Sequence, residues 1–395
     1  MHAHTVDCAA MSPSLRSDRV SILLAGGGTG GHIYPNVAIA EQLRTRGTEH
    51  LHFLVSNRPG DAKTMERLGE AYTASPMRPL PSLRRPTSVL PFLTSAHRSL
   101  RQTTELLRDL SITAVVATGG FVSGPAMLAA ARLGIPRLLV NLDAIPGVAN
   151  RQLARVATRV FSTYETPLLP GAERIGLPLR RVSVGNLDAP SARRRLELDP
   201  DRPTLFVTGA THGAESMIRT LMQLVQDRER SAFLRAWQIF HQCGTFDGGE
   251  LRASYEGAGM TARVVDYCDE MGTAYAAADL VVSRSGAGSV AEAWANATPT
   301  IFLPNPYHKD QHQAHNAQPM ADAGGAVLVR DEIEPRKTLV GFLPVLEDLC
   351  RDADRRERMR EALTASRPPD GAAIVAECLC ASSLTREDRH ARAGA

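Results

Sequence analysis

The sequence has little net charge and no long apolar run. Its 45 basic and 42 acidic residues leave a formal net charge of +3, whereas a general nucleic-acid-binding domain would be strongly basic. No apolar stretch reaches the roughly 18 residues that a membrane-spanning helix needs. The N-terminus also lacks the charged start and apolar segment of a signal peptide. We therefore expect a cytosolic protein without a nucleic-acid partner, which at most lies on a membrane surface.

Cysteine is scarce as well. The six cysteines lie at positions 8, 243, 268, 350, 378 and 380, and these spacings fit neither a zinc site nor a disulfide framework. A reducing compartment is therefore expected. At roughly 100 to 200 residues per domain, the chain is long enough for two or three domains, each with a buried core.

The order of apolar runs predicts an α/β protein with two similar halves. Short strand-like runs alternate with helix-like stretches, which favours parallel sheets covered by helices. The runs lie at 20–25, 52–55, 114–118, 137–140, 204–208, 238–241, 280–283 and 300–303. Prolines and three consecutive arginines interrupt the pattern at 184–203. We predict two Rossmann-like domains, 19–186 and 187–365, facing each other across a ligand-binding cleft, with a disordered leader at 1–18 and a loose tail at 386–395.

The first strand-like run ends in a glycine-rich turn, Gly26 to Gly31, followed by His32. Glycine lets backbone N–H groups approach a phosphate or a reacting sugar, and a helix N-terminus favours negative charge. The turn is not a P-loop, because His32 stands where that motif requires lysine. The helix dipole disfavours a protonated imidazole at this position, so His32 is a candidate general base. The alternative is a histidine that merely caps the helix.

Two further motifs lie in the second half. In Ser283 to Ala293 a strand again leads through small residues into a helix, which suits a diphosphate. Glu292 in this helix is either a ribose ligand or a solvated surface residue. The stretch Leu303 to Ala317 is rich in side chains that hydrogen-bond sugars. A metal site is the weaker alternative there, since the three histidines of this stretch, His308, His312 and His315, lack an obvious carboxylate and ring geometry on one helix.

Four stretches carry a resemblance to a known family. They are GGGTGGHIYPNVAIAEQL from Gly26, TGGFVSGPAMLAAARLGIP from Thr118, AYAAADLVVSRSGAGSVAEA from Ala274 and PTIFLPNPYHKDQHQAHNA from Pro299. In order and spacing they resemble the bacterial transferases that add N-acetylglucosamine to lipid I, the MurG family of glycosyltransferase family 28. The resemblance covers residues 20–330. It implies the GT-B architecture of two facing Rossmann-like domains, the first completed by a helix within 366–385.

The resemblance also implies roles for individual residues. His32 matches the family's candidate for the base that deprotonates the acceptor hydroxyl, and the backbone of Cys268 is expected to hold uracil. The residues matching donor-binding positions are Thr29, Gly30, Asp143, Thr211, Cys268, Arg284, Ser285, Gly286, Glu292, His312 and Gln313. Those matching the acceptor or phosphate loops are Gly28, Gly31, Gly119, Gly120 and Ser123.

Three segments depart from the family pattern. Its His-Glu-Gln-Asn stretch aligns with Val140 to Asp143, and its Gly-Ser-Gln-Gly-Ala turn becomes residues 209–214, with His212 in place of glutamine. Its Gly-Asn-Pro-Val-Arg hinge aligns with Gly185 to Ala189, which lacks the arginine. The donor is therefore expected to be UDP-GlcNAc, while the acceptor is less firmly implied.

Residues 71–104 contain five arginines and no acidic side chain. Arginines beside apolar residues suit adsorption to an anionic bilayer, each cation contributing about 1 kcal/mol. The alternative is a proline-rich loop that leads into an ordinary solvated helix. The predicted membrane patch consists of Arg78, Arg84, Arg85, Phe92, Arg98 and Arg101.

The sequence thus predicts an inverting transferase at the cytoplasmic face of the cell membrane. It would move N-acetylglucosamine from UDP-GlcNAc to the 4-hydroxyl of undecaprenyl-diphospho-N-acetylmuramoyl-pentapeptide, with no cofactor and no metal. Two alternatives stay open. One is a related transferase with another lipid or sugar acceptor, and the other is a UDP-GlcNAc 2-epimerase-like protein or a catalytically silent sugar-nucleotide binder on the same fold.

Overall fold

The computed structural model of the protein describes residues 20–28, 30–80, 89–209, 214–307 and 310–381. The predicted leader and tail lie outside these ranges. Within them the chain forms two fully parallel sheets, with helices packed against both faces of each. The predicted pair of Rossmann-like α/β domains is confirmed.

The first sheet has seven strands in the order β3-β2-β1-β4-β5-β6-β7. Its strands are β1 (Ser21–Ala25), β2 (His50–Ser56), β3 (Tyr72–Ser75), β4 (Ala114–Ala117), β5 (Arg137–Asn141), β6 (Arg159–Ser162) and β7 (Glu173–Arg174). The helices between them are α1 (Gly30–Arg44), α2 (Pro59–Leu68), α3 (Val89–Asp109), α4 (Ser123–Arg132) and α5 (Val148–Leu153). Alternate residues of β1 face opposite layers: Ile22 packs with α1, and Leu23 packs with α3 and α4.

The second sheet has six strands in the order β10-β9-β8-β11-β12-β13. Its strands are β8 (Thr204–Thr208), β9 (Gln238–Gln242), β10 (Thr261–Val265), β11 (Leu280–Ser283), β12 (Thr300–Phe302) and β13 (Ala326–Leu328). Its helices are α6 (Ala189–Arg195), α7 (Glu215–Gln226), α8 (Gly248–Gly257), α9 (Met271–Ala277), α10 (Ala287–Ala295), α11 (His312–Asp322), α12 (Pro335–Arg351) and α13 (Ala353–Ala365).

The last described helix, α14 (Gly371–Cys380), returns to the first domain. Val375 and Leu379 of α14 share a buried cluster with Ile33 and Val37 of α1. The chain crosses back at a tight contact, because a Cβ built on Gly371 would lie 1.8 Å from the carbonyl oxygen of Gly176. Two stretches therefore connect the domains, one near 176–189 and one near 366–371.

Each sheet reverses its chain order at one point, between β1 and β4 in the first and between β8 and β11 in the second. Open parallel sheets bind ligands at such points, beyond the carboxyl ends of the strands. Residues that follow β1, β8 and β11, among them Gly30, Gly209 and Gly286, line a cleft of about 910 Å³ between the two domains. In the described part of the chain, no helix is long and apolar enough to cross a membrane.

Candidate functional site

His32 lies in the first turn of α1 and lines the cleft. Its Nδ1 is 3.1 Å from the carbonyl oxygen of Thr118, at the end of β4. A carbonyl oxygen can only accept a hydrogen bond, so Nδ1 carries the proton and Nε2 keeps its lone pair. The Thr118 hydroxyl in turn donates to the His32 carbonyl oxygen at 2.7 Å. The imidazole is held in the tautomer that can accept a proton at Nε2.

The two glycine-rich turns of the first domain pack against each other beside His32. A Cβ on Gly119 would lie 2.9 Å from His32 Cε1, and one on Gly120 would lie 2.3 Å from the Gly27 carbonyl oxygen. Ser123 is buried, and its hydroxyl donates to the carbonyl oxygen of Gly119 at 2.6 Å. These contacts leave no room for side chains in the turns. Of the predicted loop residues, Gly30 and Gly31 line the cleft, and Thr29 lies outside the described residues.

The turn after β11 forms the opposite wall of the cleft. The cleft is lined there by Gly286, Ala287, Gly288 and Ser289, at the N-terminus of α10. The hydroxyl of Ser285 is buried and has no hydrogen-bond partner among the described residues. A helix N-terminus with its unpaired N–H groups attracts an anion such as a diphosphate. Thr211, on the neighbouring turn after β8, lies outside the described residues.

Glu292 projects from α10 into the same cleft. Its Oε1 accepts a hydrogen bond from the hydroxyl of Ser183 at 2.9 Å. Burial raises the pKa of Glu292 to about 7, although the Ser183 hydrogen bond and the charge of Arg180 act in the opposite direction. The carboxyl group thus titrates near neutral pH. It is placed to accept hydrogen bonds from ligand hydroxyls in its ionised form.

Arg284 also borders the cleft, but its guanidinium group is already paired. It forms a buried ion pair with Asp331 at 2.7 Å and donates to the Leu303 carbonyl oxygen at 2.8 Å and to the Ser216 hydroxyl at 2.7 Å. The side chain therefore ties β11 to the loops after β12 and β13. Its predicted contact with the nucleotide stays a prediction.

The remaining predicted donor residues lie around the same cleft. Cys268 is buried at its edge, and burial raises the pKa of the thiol to about 11, so the side chain stays neutral. His312 contacts Asp310 through Nδ1 at 2.8 Å. Gln313 accepts a hydrogen bond from the Asn305 backbone through Oε1 at 2.9 Å, which leaves its amide N–H groups for a ligand. His308 lies outside the described residues.

Asp143 joins the two domains at the cleft. Its Oδ1 accepts a hydrogen bond from Nδ2 of Asn316 at 2.9 Å, and Oδ1 of Asn316 accepts one from the Ala144 backbone at 2.8 Å. The Tyr164 hydroxyl donates to the carbonyl oxygen of Asn316 at 3.0 Å. The carboxylate that stands where the family has an amide is thus held by the second domain.

A second link across the cleft was not predicted from the sequence. The hydroxyls of Tyr34 and Tyr267 are 3.1 Å apart, and Arg67 donates to both. The Arg67 guanidinium lies over the Tyr267 ring, 4.6 Å from its centroid. Burial and the Tyr267 contact raise the pKa of Tyr34 to about 12. Tyr34 therefore stays neutral, and the two hydroxyls link the domains.

Arg180 is a residue of the cleft that the sequence analysis did not identify. Gly176 to Arg180 has the pattern Gly-x-Pro-aliphatic-Arg, nine residues before the segment that was aligned with the hinge. Arg180 is 9% exposed, lines the cleft and stacks on Tyr34 with 4.1 Å between guanidinium carbon and ring centroid. The cleft lining includes none of residues 185–189. The Gly-x-Pro spacing could have identified Arg180 from the sequence.

The predicted membrane patch lies only partly within the described residues, since Arg84 and Arg85 fall outside them. Arg78 and Arg98 are exposed, Phe92 is half-buried, and Arg101 pairs with Glu105 at 3.0 Å. Four apolar side chains near the start of α3 are exposed, namely Leu80, Val89, Leu90 and Leu93. This surface combines cations with unburied apolar groups.

Comparison with known proteins agrees with this geometry. The model for the glycosyltransferase family 28 N-terminal domain matches residues 22–162, and that for the C-terminal domain matches residues 204–373. A UDP-N-acetylglucosamine--N-acetylmuramyl-(pentapeptide) pyrophosphoryl-undecaprenol N-acetylglucosamine transferase from Nocardioides sp. is 38% identical over 359 residues, covering 88% of this chain and 94% of that protein. The transferase of the same name from Clavibacter sepedonicus is 37% identical over 377 residues, covering 93% and 98%.

A solved structure extends the likeness to the fold. The crystal structure of Acinetobacter baumannii MurG has a TM-score of 0.69 and 23% sequence identity, and the match covers 91% of this chain and 99% of that one. Two parallel-sheet domains around a shared cleft form the GT-B architecture, as predicted. The chain belongs to glycosyltransferase family 28.

Proposed function

We propose that this protein transfers N-acetylglucosamine from UDP-GlcNAc to the 4-hydroxyl of a lipid-linked N-acetylmuramoyl-pentapeptide, with inversion at the anomeric carbon. The printed names of the relatives describe this donor and this acceptor. The observation that carries the chemistry is the imidazole of His32, which borders the cleft with Nδ1 hydrogen-bonded to the Thr118 carbonyl oxygen. In the neutral ring this contact leaves the lone pair on Nε2.

In the proposed reaction His32 is the general base. Nε2 takes the proton from the acceptor hydroxyl while that oxygen attacks the anomeric carbon, and the bond from that carbon to the UDP oxygen breaks. A positioned base typically contributes 10² to 10⁴-fold to the rate. The Thr118 carbonyl stabilises the imidazolium that forms, because it already accepts from Nδ1.

The second domain would hold the leaving group. The N-terminus of α10, which lines the cleft, would stabilise charge on the departing diphosphate. The hydroxyl of Ser285, just before this helix and without a hydrogen-bond partner among the described residues, would donate to the same group. Arg180 supplies a cation from the other side of the cleft. Glu292 would bind the ribose hydroxyls, and Gln313 the hydroxyls of N-acetylglucosamine.

We propose that transfer needs no metal ion, since these helix ends and Arg180 supply the positive charge and the matched motifs contain no Asp-x-Asp pair. Turnover that survives exhaustive treatment with EDTA would support this. Loss of turnover that returns on adding Mg²⁺ would contradict it.

We further propose a peripheral position at the cytoplasmic face of the cell membrane, with the surface around α3 in contact with anionic lipid. A polyprenyl-linked acceptor has to be met at the bilayer. The exposed apolar side chains beside Arg78 and Arg98 support contact with such a surface.

One experiment distinguishes this function from its rivals. Purified protein is incubated with UDP-GlcNAc, with and without a lipid I analogue. Release of UDP only in the presence of acceptor supports the transferase. Conversion of the sugar to its 2-epimer without acceptor indicates an isomerase. Binding without turnover indicates a silent sugar-nucleotide binder, and turnover only with another sugar or lipid acceptor indicates a relative with a different substrate.

A further inference from the structure

We propose that Asp61 is a positioning residue for this reaction, which fixes the turn before α1 so that His32 faces the acceptor. The inference rests on the proposed function, since it assigns His32 the role of base. Asp61 lies in the first turn of α2 and is 5% exposed. No sequence motif singles it out.

One oxygen of Asp61 collects three hydrogen bonds from outside its own helix. Oδ2 accepts from the backbone N–H of Gly28 at 2.7 Å, from the hydroxyl of Ser56 at 2.6 Å and from the backbone N–H of Ser56 at 3.2 Å. An acidic residue in a first helical turn ordinarily interacts with that helix's own N–H groups. Here it joins the end of β2 to the turn that follows β1.

The partners show why the carboxylate is needed. Gly28 has φ +96, a left-handed conformation that requires an external restraint to persist as a single state. Its carbonyl oxygen is held as well, by Nη1 of Arg58 at 2.5 Å, and the Arg58 guanidinium lies over the Phe121 ring. Both polar groups of Gly28 are thus bound by the segment Ser56 to Asp61.

The hydrogen bond to Asp61 limits which N–H groups of this turn can bind a ligand. The Gly28 N–H donates to Asp61 and is not free to bind a phosphate. Among the described residues of this turn, the backbone donors that border the cleft belong to the start of α1, at Gly30 and Gly31. Gly27 packs so closely that a Cβ there would lie 2.7 Å from Asp61 Oδ2. The turn is a rigid support, and His32 is attached to it.

The test compares Asp61→Ala with Asp61→Asn. Asparagine keeps an oxygen that can accept the same hydrogen bonds, whereas alanine leaves three donors without a partner. A displacement of about 1 Å at a reacting group can lower turnover about 100-fold. We expect Asp61→Ala to lower kcat 10 to 100-fold, with the KM for UDP-GlcNAc within twofold of wild type, and Asp61→Asn to recover most of the rate.

A matched control is Asp247→Ala. Asp247 also accepts two backbone N–H groups at a helix start, those of Gly249 and Glu250, but it does not border the cleft. Its loss should leave turnover near the wild-type value. If Asp61→Ala does not fold, Ser56→Ala removes one of the three donors and should lower kcat severalfold. Wild-type kcat in a folded Asp61→Ala protein, or an equal loss of UDP affinity, would overturn the proposal.

A readout without catalysis separates this proposal from the function itself. In hydrogen exchange, the Gly28 amide should be protected in the wild type and exchange at least tenfold faster in Asp61→Ala, with unchanged exchange in β8 to β13. If the wild type transfers no sugar, the proposed function fails, while faster exchange would still show that Asp61 holds the turn. Equal exchange in both proteins would refute the positioning role.

Discussion

The glycine-rich turns on the two sides of the cleft use glycine for opposite reasons. In the first domain a Cβ would collide with neighbouring atoms at Gly26, Gly27, Gly28, Gly119 and Gly120. At Gly26, for example, it would lie 2.4 Å from Thr118 Oγ1, and at Gly27 it would lie 2.6 Å from the Ser56 nitrogen. In the second domain a Cβ on Gly286 or Gly288 would meet no atom within 4 Å. The two turns of the first domain are closely packed, whereas the turn at the start of α10 borders open space.

The polar groups of the two sides differ in the same way. The peptide groups of Gly28 are bound by Asp61 and Arg58, and His32 is fixed by Thr118. On the other side the buried hydroxyl of Ser285 lacks a partner in the described structure. A base must be aimed before the substrate arrives, whereas a diphosphate site must keep donors available. This difference fits the proposed function, with the base on the first domain and the nucleotide site on the second.

The largest effect is expected for His32→Ala. Removing the proposed base should lower turnover about 10² to 10⁴-fold, while UDP affinity changes little because the proposed nucleotide site lies mainly on the second domain. Initial rates and UDP calorimetry measure the two effects. Nearly full activity in a folded mutant would show that His32 is not the general base. Asp143 would then become the next candidate.

A pair of glycine substitutions tests the comparison directly. Gly120→Ala should lower the melting temperature by several degrees, because the residue has φ +78 and its Cβ would lie 2.3 Å from the Gly27 carbonyl oxygen. Gly288→Ala lies in open space within α10 and should melt at or above the wild-type temperature. It should nevertheless weaken UDP binding severalfold. If both variants melt alike and bind UDP alike, the two turns do not differ as described.

The pH dependence of Glu292 gives a smaller effect. Its pKa is raised to about 7, so this carboxyl group destabilises the folded protein progressively as the pH rises from about 4.5 to 7. Donor binding needs the ionised form, so UDP affinity should fall as the pH drops below 7, by at most about tenfold per unit. Glu292→Gln should bind UDP weakly without this pH dependence and melt higher than wild type at pH 8. Melting curves and calorimetry at pH 6 and 8 test both signs.

The smallest effect is expected at the membrane surface. Replacing Arg78 and Arg98 with serine should weaken sedimentation with phosphatidylglycerol vesicles, each cation contributing about 1 kcal/mol, and high salt should do the same. Leu90→Ser with Leu93→Ser should weaken binding without changing its salt dependence. Turnover on a water-soluble acceptor should stay unchanged. If neither the arginine nor the leucine substitutions change sedimentation, α3 does not contact the membrane.

The sequence predicts the centre of each sheet better than its edges. Central strands such as β1 and β8 are buried on both faces and form continuous apolar runs. Edge strands such as β10, with exposed and half-buried residues, lack that signal. The glycine turns and His32 follow from local spacing. Contacts between residues that lie far apart in the sequence, such as Tyr34 with Tyr267 or Asp61 with Gly28, cannot be predicted in this way. Each of these residues has several possible partners, and the sequence does not show which one it meets.

The return of α14 to the first domain determines when that domain can be completed during synthesis. The seven strands of the first sheet lie before residue 175, but the helix that covers Ile33 and Val37 of α1 follows the second domain in the chain. A ribosome has therefore translated the whole second domain, with its own sheet and core, before the first domain can close. A nascent chain that stops before Asp370 lacks α14 and exposes the apolar face of α1. A quality-control protease would recognise such a truncated chain by this exposed face.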